Sequence, residues 1–103
     1  MSVLLEFSMF PTDKGESKSQ YVARSMEIIQ NSGLNYKVGP MGTTIEGEWD
    51  EVMSVVKACY MAMEKDCNRV YTGIKIDARK GSGNRLTGKL ESLQKKVDKP
   101  LNS

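Results

Sequence analysis

The sequence contains no histidine. That removes the commonest acid–base side chain of enzymes and every Ser-His-Asp arrangement. It has two cysteines, Cys59 and Cys67, which form no Cys-x-x-Cys pair. A structural zinc site needs about four nitrogen or thiolate ligands, so no metal or cofactor is expected. Cys59 falls on an apolar helix face and reads as a core thiol. Cys67, near a helix end, reads as an ordinary free thiol. No apolar run approaches the ~20 residues that span a bilayer. The opening Met1–Glu6 has no basic segment and meets a charge at once, so no signal peptide is read there and the cytoplasm is the expected location. The formal net charge of +2 is too small to imply a nucleic-acid partner.

What remains is 103 residues, 39% apolar and 27% charged, which fits one domain over residues 1–103 with a modest core. Domains of this size often gain stability from association. Residues 2–10 alternate, with Val3, Leu5, Phe7 and Met9 on one side and Leu4, Glu6, Ser8 and Phe10 on the other. They predict a central strand that Pro11 ends. Ser17-Lys18-Ser19-Gln20 has the form of a capping box. The helix it opens runs to about Ser32, with Val22, Met26 and Ile29 as its stripe, Tyr21 and Ile28 beside them, and Gly33 as the left-handed terminator. Asn35 to Pro40 and Thr43 to Gly47 predict two short strands paired across the turn Gly39–Gly42. A helix starts near Glu48, with Glu48, Asp50 and Glu51 crowding its positive end. Val52, Val55, Val56, Cys59 and Met63 form its apolar face, and it ends around Asp66 with Asn68 as a cap. Arg69 to Ala78 read as the fourth strand. A glycine-rich basic loop leads to a last helix over about Arg85 to Asp98. The order β-α-β-β-α-β is that of the α+β ferredoxin-like sandwich: a four-stranded antiparallel sheet with two helices on one face, here with a C-terminal helix added.

That topology places strand one between strands three and four. If Leu5, Phe7, Ile45, Ile74 and Ile76 face the helices, then Leu4, Glu6, Ser8, Phe10, Thr44, Glu46, Tyr71, Lys75 and Asp77 face away. Such a face is too apolar for simple solvation, and a second subunit is expected to cover it. Its polar groups then serve an inter-subunit ion-pair network, of the kind Glu6 and Lys75 could form, or hold a ligand.

One stretch stands apart. Gly42–Met53 concentrates two adjacent hydroxyls, several carboxylates and the single tryptophan. The run Val38-Gly39-Pro40-Met41-Gly42-Thr43-Thr44-Ile45-Glu46-Gly47-Glu48-Trp49-Asp50-Glu51-Val52-Met53 closely resembles the signature of the small thiamine-binding protein family. The resemblance extends to the helix at Ser17–Gly33, to Arg69-Val70, to Ile74-Lys75-Ile76 and to the closing helix. It implies a single ferredoxin-like domain, non-catalytic binding of thiamine or its hydroxymethylpyrimidine moiety, and dimers or tetramers formed through the sheets. It also implies a ligand region at Thr43, Thr44 and Glu46 with strand-one neighbours, Ser8 among them. Hydroxyls and a carboxylate suit the amino group and ring nitrogens of an aminopyrimidine. A carboxylate suits the thiazolium charge, and Met9, Phe10 or Trp49 offers the wall a flat ring needs. Each residue also has a structural reading. The threonines are good strand formers that can serve the hairpin, Glu46 can bond amides at the helix start, and Trp49 can plug the helix–sheet junction. Thr43 shares the side of Ile45, so its ligand role rests on the resemblance, whereas parity favours Thr44 and Glu46.

Other functions fit less well. An oligomeric structural or regulatory domain without a small-molecule ligand is the main alternative. RNA-recognition domains share the topology but stack bases on aromatics of the first and third strands, and Thr43–Gly47 has none. An acylphosphatase-like hydrolase wants an arginine in the loop after strand one, where Pro11-Thr12-Asp13-Lys14-Gly15 has none, and no Gly-x-x-x-x-Gly-Lys-Ser/Thr loop is present. The expected partners are therefore a small molecule and further copies of the chain, not nucleic acid or a membrane, and no enzymatic activity is expected.

Overall fold

A computed structural model describes residues 1–81. The helix read over Arg85 to Asp98 lies outside the described residues. Four strands, β1 (Ser2–Pro11), β2 (Asn35–Val38), β3 (Thr43–Gly47) and β4 (Val70–Arg79), and two helices, α1 (Lys18–Asn31) and α2 (Trp49–Glu64), follow in the order β1-α1-β2-β3-α2-β4. The strands form one antiparallel sheet in the order β2-β3-β1-β4, with both helices packed on one face. This is α+β architecture, and the ferredoxin-like arrangement fits it. Among the described residues no helix is long and apolar enough to cross a membrane.

The alternation of β1 decides which side chains meet the helices. Val3, Leu5, Phe7 and Met9 are buried, as are Ile45 from β3, Tyr21 and Ile29 from α1, and Val52, Val55, Val56, Cys59 and Met63 from α2. Burial pushes the Cys59 thiol above its ordinary pKa, and both cysteines are free. Register agrees with this parity: Leu5 lies opposite Ile45 and Ile76, and Phe7 opposite Thr43 and Ile74. The centre of the α1 stripe differs from the sequence reading. Tyr21, Ser25 and Ile29 are its buried positions, while Val22 and Met26 are only half-buried.

Element ends follow local hydrogen bonding. A 3-10 turn (Gly15–Ser17) precedes α1. Gly33, with φ of 78°, follows α1 in the left-handed conformation that glycine adopts without a Cβ penalty. β2 stops at Val38 because the turn closes there, the Gly39 N–H donating to the Gly42 carbonyl (2.9 Å). At the start of α2 the Glu48 N–H donates to Glu51 Oε1 (2.8 Å), one half of a capping box.

Asn68 does not cap α2. Its N–H donates instead to Asp13 Oδ2 (2.7 Å), tying the loop after β1 to the entry of β4. That bond holds the Asp13 carboxyl below its ordinary pKa. A carboxylate lowered in this way stabilises the fold above its unfolded pKa of about 4 and loses the contribution as pH falls through the lower folded value. Asp13→Ala is therefore expected to lower the melting temperature at neutral pH and to approach wild type as the pH falls through the lowered Asp13 value. Melting curves across pH check this, and an equal deficit at every pH would refute it.

Candidate functional site

β1 has ten residues and β3 five, and they pair only from Val3 to Phe7. From Ser8 onward β1 remains paired with β4, but it has no β3 on its other side. The β2–β3 turn folds over at that same end, and α1 passes above. The mismatch leaves a cavity of about 380 Å³ between α1, the far end of β1 and the turn. It explains why Val22 and Met26 are only half-buried on a helix that otherwise packs on the sheet.

The sheet contributes Phe7, Met9 and Thr43, and α1 contributes Val22, Ser25, Met26 and Ile29. Residues 38–42 form the third wall, and Ser8 and Phe10 border the cavity at the open edge of β1. No lining residue is charged. The walls are apolar and partly methionine, whose unbranched thioether adapts to an irregular guest. Two hydroxyls break this apolar surface. Thr43 is buried, and its Oγ1 lies 4.0 Å from Met26 Sδ, a weak contact. Ser25 is 5% exposed, and its Oγ has no hydrogen-bond partner among the described residues. A buried hydroxyl without a partner costs about 1–3 kcal/mol; the Ser25 oxygen is closed off from the cavity on the side of the Cys59 thiol, and a polar guest would relieve that cost once the side chain turned about χ1 toward it. At the rim Lys18 Nζ sits 5.2 Å over the ring of Phe10, whose centroid is 5.6 Å from that of Tyr71.

Of the residues singled out in the sequence, Ser8, Met9, Phe10 and Thr43 border this cavity. Thr44 and Glu46 do not. Thr44 lies opposite Glu6, and Glu46 opposite Leu4, on the other face of the sheet. Glu46 is 6% exposed and is engaged within the chain, as is Ser2, and Leu4 beside them is also buried. The rest of that face is exposed in the single chain, with Glu6, Tyr71, Lys75 and Asp77 all open. Trp49 begins α2, beyond the opposite end of β3, roughly 13 Å of strand from Thr43. It is 46% exposed. The helix stripe that meets the sheet starts at Val52, a turn later, so Trp49 neither plugs the junction nor walls the cavity. Ser25 was not singled out. Its signal is a serine four residues after Tyr21 and four before Ile29, a polar residue in the centre of an apolar stripe. Among the described residues no three His, Cys, Asp or Glu side chains converge as metal ligands would.

The family model described as "thiamine-binding protein" matches residues 5–94. The UPF0045 protein MJ1052 of Methanocaldococcus jannaschii is 34% identical over 91 residues, 88% of this chain and 91% of its own. Its crystal structure superposes with a TM-score of 0.81 over 89% of this chain and 95% of that one. The UPF0045 protein MT1949 of Mycobacterium tuberculosis is 35% identical over 101 residues, 97% of this chain and 99% of its own. A Thermotoga maritima protein, assigned provisionally to thiamine biosynthesis or salvage, superposes with a TM-score of 0.79 at 28% identity, over 91% of this chain and all of that one.

Proposed function

The chain belongs to the thiamine-binding protein family, and from that premise we propose that it is a non-catalytic binder of thiamine or its hydroxymethylpyrimidine moiety, with the pyrimidine held in the cavity between α1 and the β2–β3 turn. The largely apolar cavity, bordered by the small side chains of Ser25 and Thr43, carries this reading. A cavity of about 380 Å³ falls within the ordinary range for small-molecule sites. An aminopyrimidine presents two apolar faces, ring nitrogens that accept and an amino group that donates. With its side chain turned about χ1 into the cavity, Ser25 can donate to a ring nitrogen, and Thr43 can accept from the amino group. No carboxylate lines the cavity, and Glu6 and Glu46 stand on the other face of the sheet. The thiazolium end of thiamine therefore belongs at the mouth rather than inside.

Calorimetry with thiamine and with the free pyrimidine alcohol tests this. Both are expected to bind, with affinities within about tenfold of each other, because the cavity offers the thiazolium charge no partner. No heat and no thermal shift with either compound at millimolar concentration would overturn the proposal. A thiamine preference above a thousandfold would move the site to the carboxylates of the other sheet face.

Self-association is part of the same proposal. Ile74 and Ile76 are 42% and 40% exposed although they stand on the helix side of the sheet, which favours a further copy of the chain as a partner. The same observation favours the second reading, an assembly domain without a ligand. Ligand-free protein that assembles normally and gives no thermal shift with any pyrimidine would establish it.

A further inference from the structure

A cation stands at the mouth of the cavity. Phe10 borders the cavity at the open edge of β1, and Tyr71 flanks its ring at 5.6 Å between centroids. Lys18, the first residue of α1, brings its ammonium to 5.2 Å from the same ring. Lys18 is exposed, and an exposed cation is held only weakly over an aromatic face. No ion pair among the described residues takes it. Of the carboxylates around it, Asp13 accepts from the Asn68 N–H (2.7 Å) and Asp66 holds Arg24 (2.7 Å). Glu16, in the turn before α1, forms no ion pair among the described residues. The ammonium is therefore available to a ligand, and the cavity behind it has no charge of its own.

Resting on the pyrimidine site proposed above, we infer that its preferred ligand is the phosphate monoester of the pyrimidine alcohol, with Lys18 closing on the phosphate at the mouth. The methylene carbon that bears the hydroxyl in the alcohol bears the thiazolium in thiamine. Whatever replaces the thiazolium on that carbon stands at the mouth as well. The three candidate ligands thus differ in the charge they present to Lys18. Thiamine presents a cation, the alcohol presents none, and the ester presents about −1.5 to −2 at pH 7. Only the ester has the complementary sign. A lysine suits it chemically: the ammonium is a compact charge with three donors on a flexible stem. It can leave the Phe10 ring for a phosphate oxygen without any change in the backbone. Hydrogen bonds with both partners charged are roughly twice as strong as neutral ones. Repulsion of the thiazolium by the same lysine is screened at an exposed rim, so thiamine is disfavoured without being shut out.

Calorimetry on the whole chain with the alcohol, its phosphate monoester, thiamine and inorganic phosphate tests this at low and high salt. In wild type the ester is expected to bind at least about tenfold more tightly than the alcohol at low salt. That advantage is expected to shrink several-fold on going from about 0.05 M to about 0.5 M salt, while the affinity of the uncharged alcohol stays level. Lys18→Gln is expected to bring the ester to within about twofold of the alcohol, and Lys18→Glu to place thiamine ahead of the ester, by reversing the sign at the mouth. Melting curves show that each variant is folded, and the glutamine variant alone suffices if the glutamate one is not. An ester no tighter than the alcohol or thiamine, or an ester preference that survives both substitutions, would overturn the inference and leave the pyrimidine site standing. Inorganic phosphate binding as tightly as the ester would also overturn it, since the anion would then be held without the ring. Failure of all three pyrimidine compounds to bind would instead overturn the site itself.

Discussion

Replacing Ser25 with leucine is expected to weaken pyrimidine binding at least about a hundredfold and to leave the protein as stable as wild type or more stable by about 1 kcal/mol. The two effects have one cause. Ser25 is buried in the middle of α1 with its hydroxyl unsatisfied, so the folded protein bears a desolvation cost that a guest would relieve when the side chain turns to meet it. Leucine removes that cost. Enlarging a core side chain normally costs about 1–3 kcal/mol because neighbours must move. Here the added carbons can turn away from Cys59 into the bordering cavity of about 380 Å³, the space the guest would take. Ser25→Ala separates the two contributions: it removes the hydroxyl and leaves the space. It is expected to weaken binding about tenfold, the value of one neutral hydrogen bond made in a dry site, and to stabilise the apo protein by about 1 kcal/mol. Thermal denaturation with and without ligand, paired with calorimetry, reads both quantities. If Ser25→Leu binds the pyrimidine like wild type, the guest lies elsewhere. If Ser25→Ala melts well below wild type, the hydroxyl supports the fold and the cavity loses its strongest mark.

Stability rising while binding falls is the signature of a residue kept for function, and it also explains why this residue was hard to find. Helix and strand periods led to the right element order because every core position of β1 and α2 is apolar and regularly spaced. Ser25 breaks that pattern at a single position, and one serine inside an amphipathic helix gives no period of its own. The cavity was harder still. It arises because β1 outruns β3 by several residues, and the lengths over which two strands pair depend on where the Gly39–Gly42 turn folds over, not on the pattern within either strand. Thr43, Thr44 and Glu46 could be sorted onto opposite faces by alternation, and register agrees with that sorting. Which of the two faces carries a cavity was not contained in the alternation. Trp49 was misplaced for a related reason. An aromatic at a strand–helix junction reads as buried, but the first residue of α2 lies ahead of the turn that reaches the sheet.

Gly42→Val is expected to destabilise the protein by about 3 kcal/mol and to abolish ligand binding with it. A Cβ at Gly42 would stand 3.0 Å from the Phe7 carbonyl oxygen and 3.4 Å from its carbonyl carbon, with Glu6 Cγ at 3.3 Å. The Glu6 side chain can swing away. The Phe7 carbonyl cannot, because it belongs to the last β1 residue paired with β3 and the whole edge would have to move with it. The branched side chain of valine adds a clash to the one any Cβ makes. The strand must therefore separate from the turn at the point where Phe7, Thr43 and residues 38–42 together wall the cavity. This couples the two readouts: the hairpin cannot relax without changing the shape of the site. Gly73→Ala is the control. Its Cβ would meet only Ser8 Oγ at 3.7 Å, an ordinary contact, and removing a glycine from a strand stabilises by about 0.4–1 kcal/mol. Urea denaturation of the two variants, with calorimetry on whatever remains folded, measures the difference. A Gly42→Val protein that keeps wild-type stability would mean that the turn is free to move away from β1. The cavity between them would then not be a preformed site, and the Ser25 effect on affinity should shrink with it.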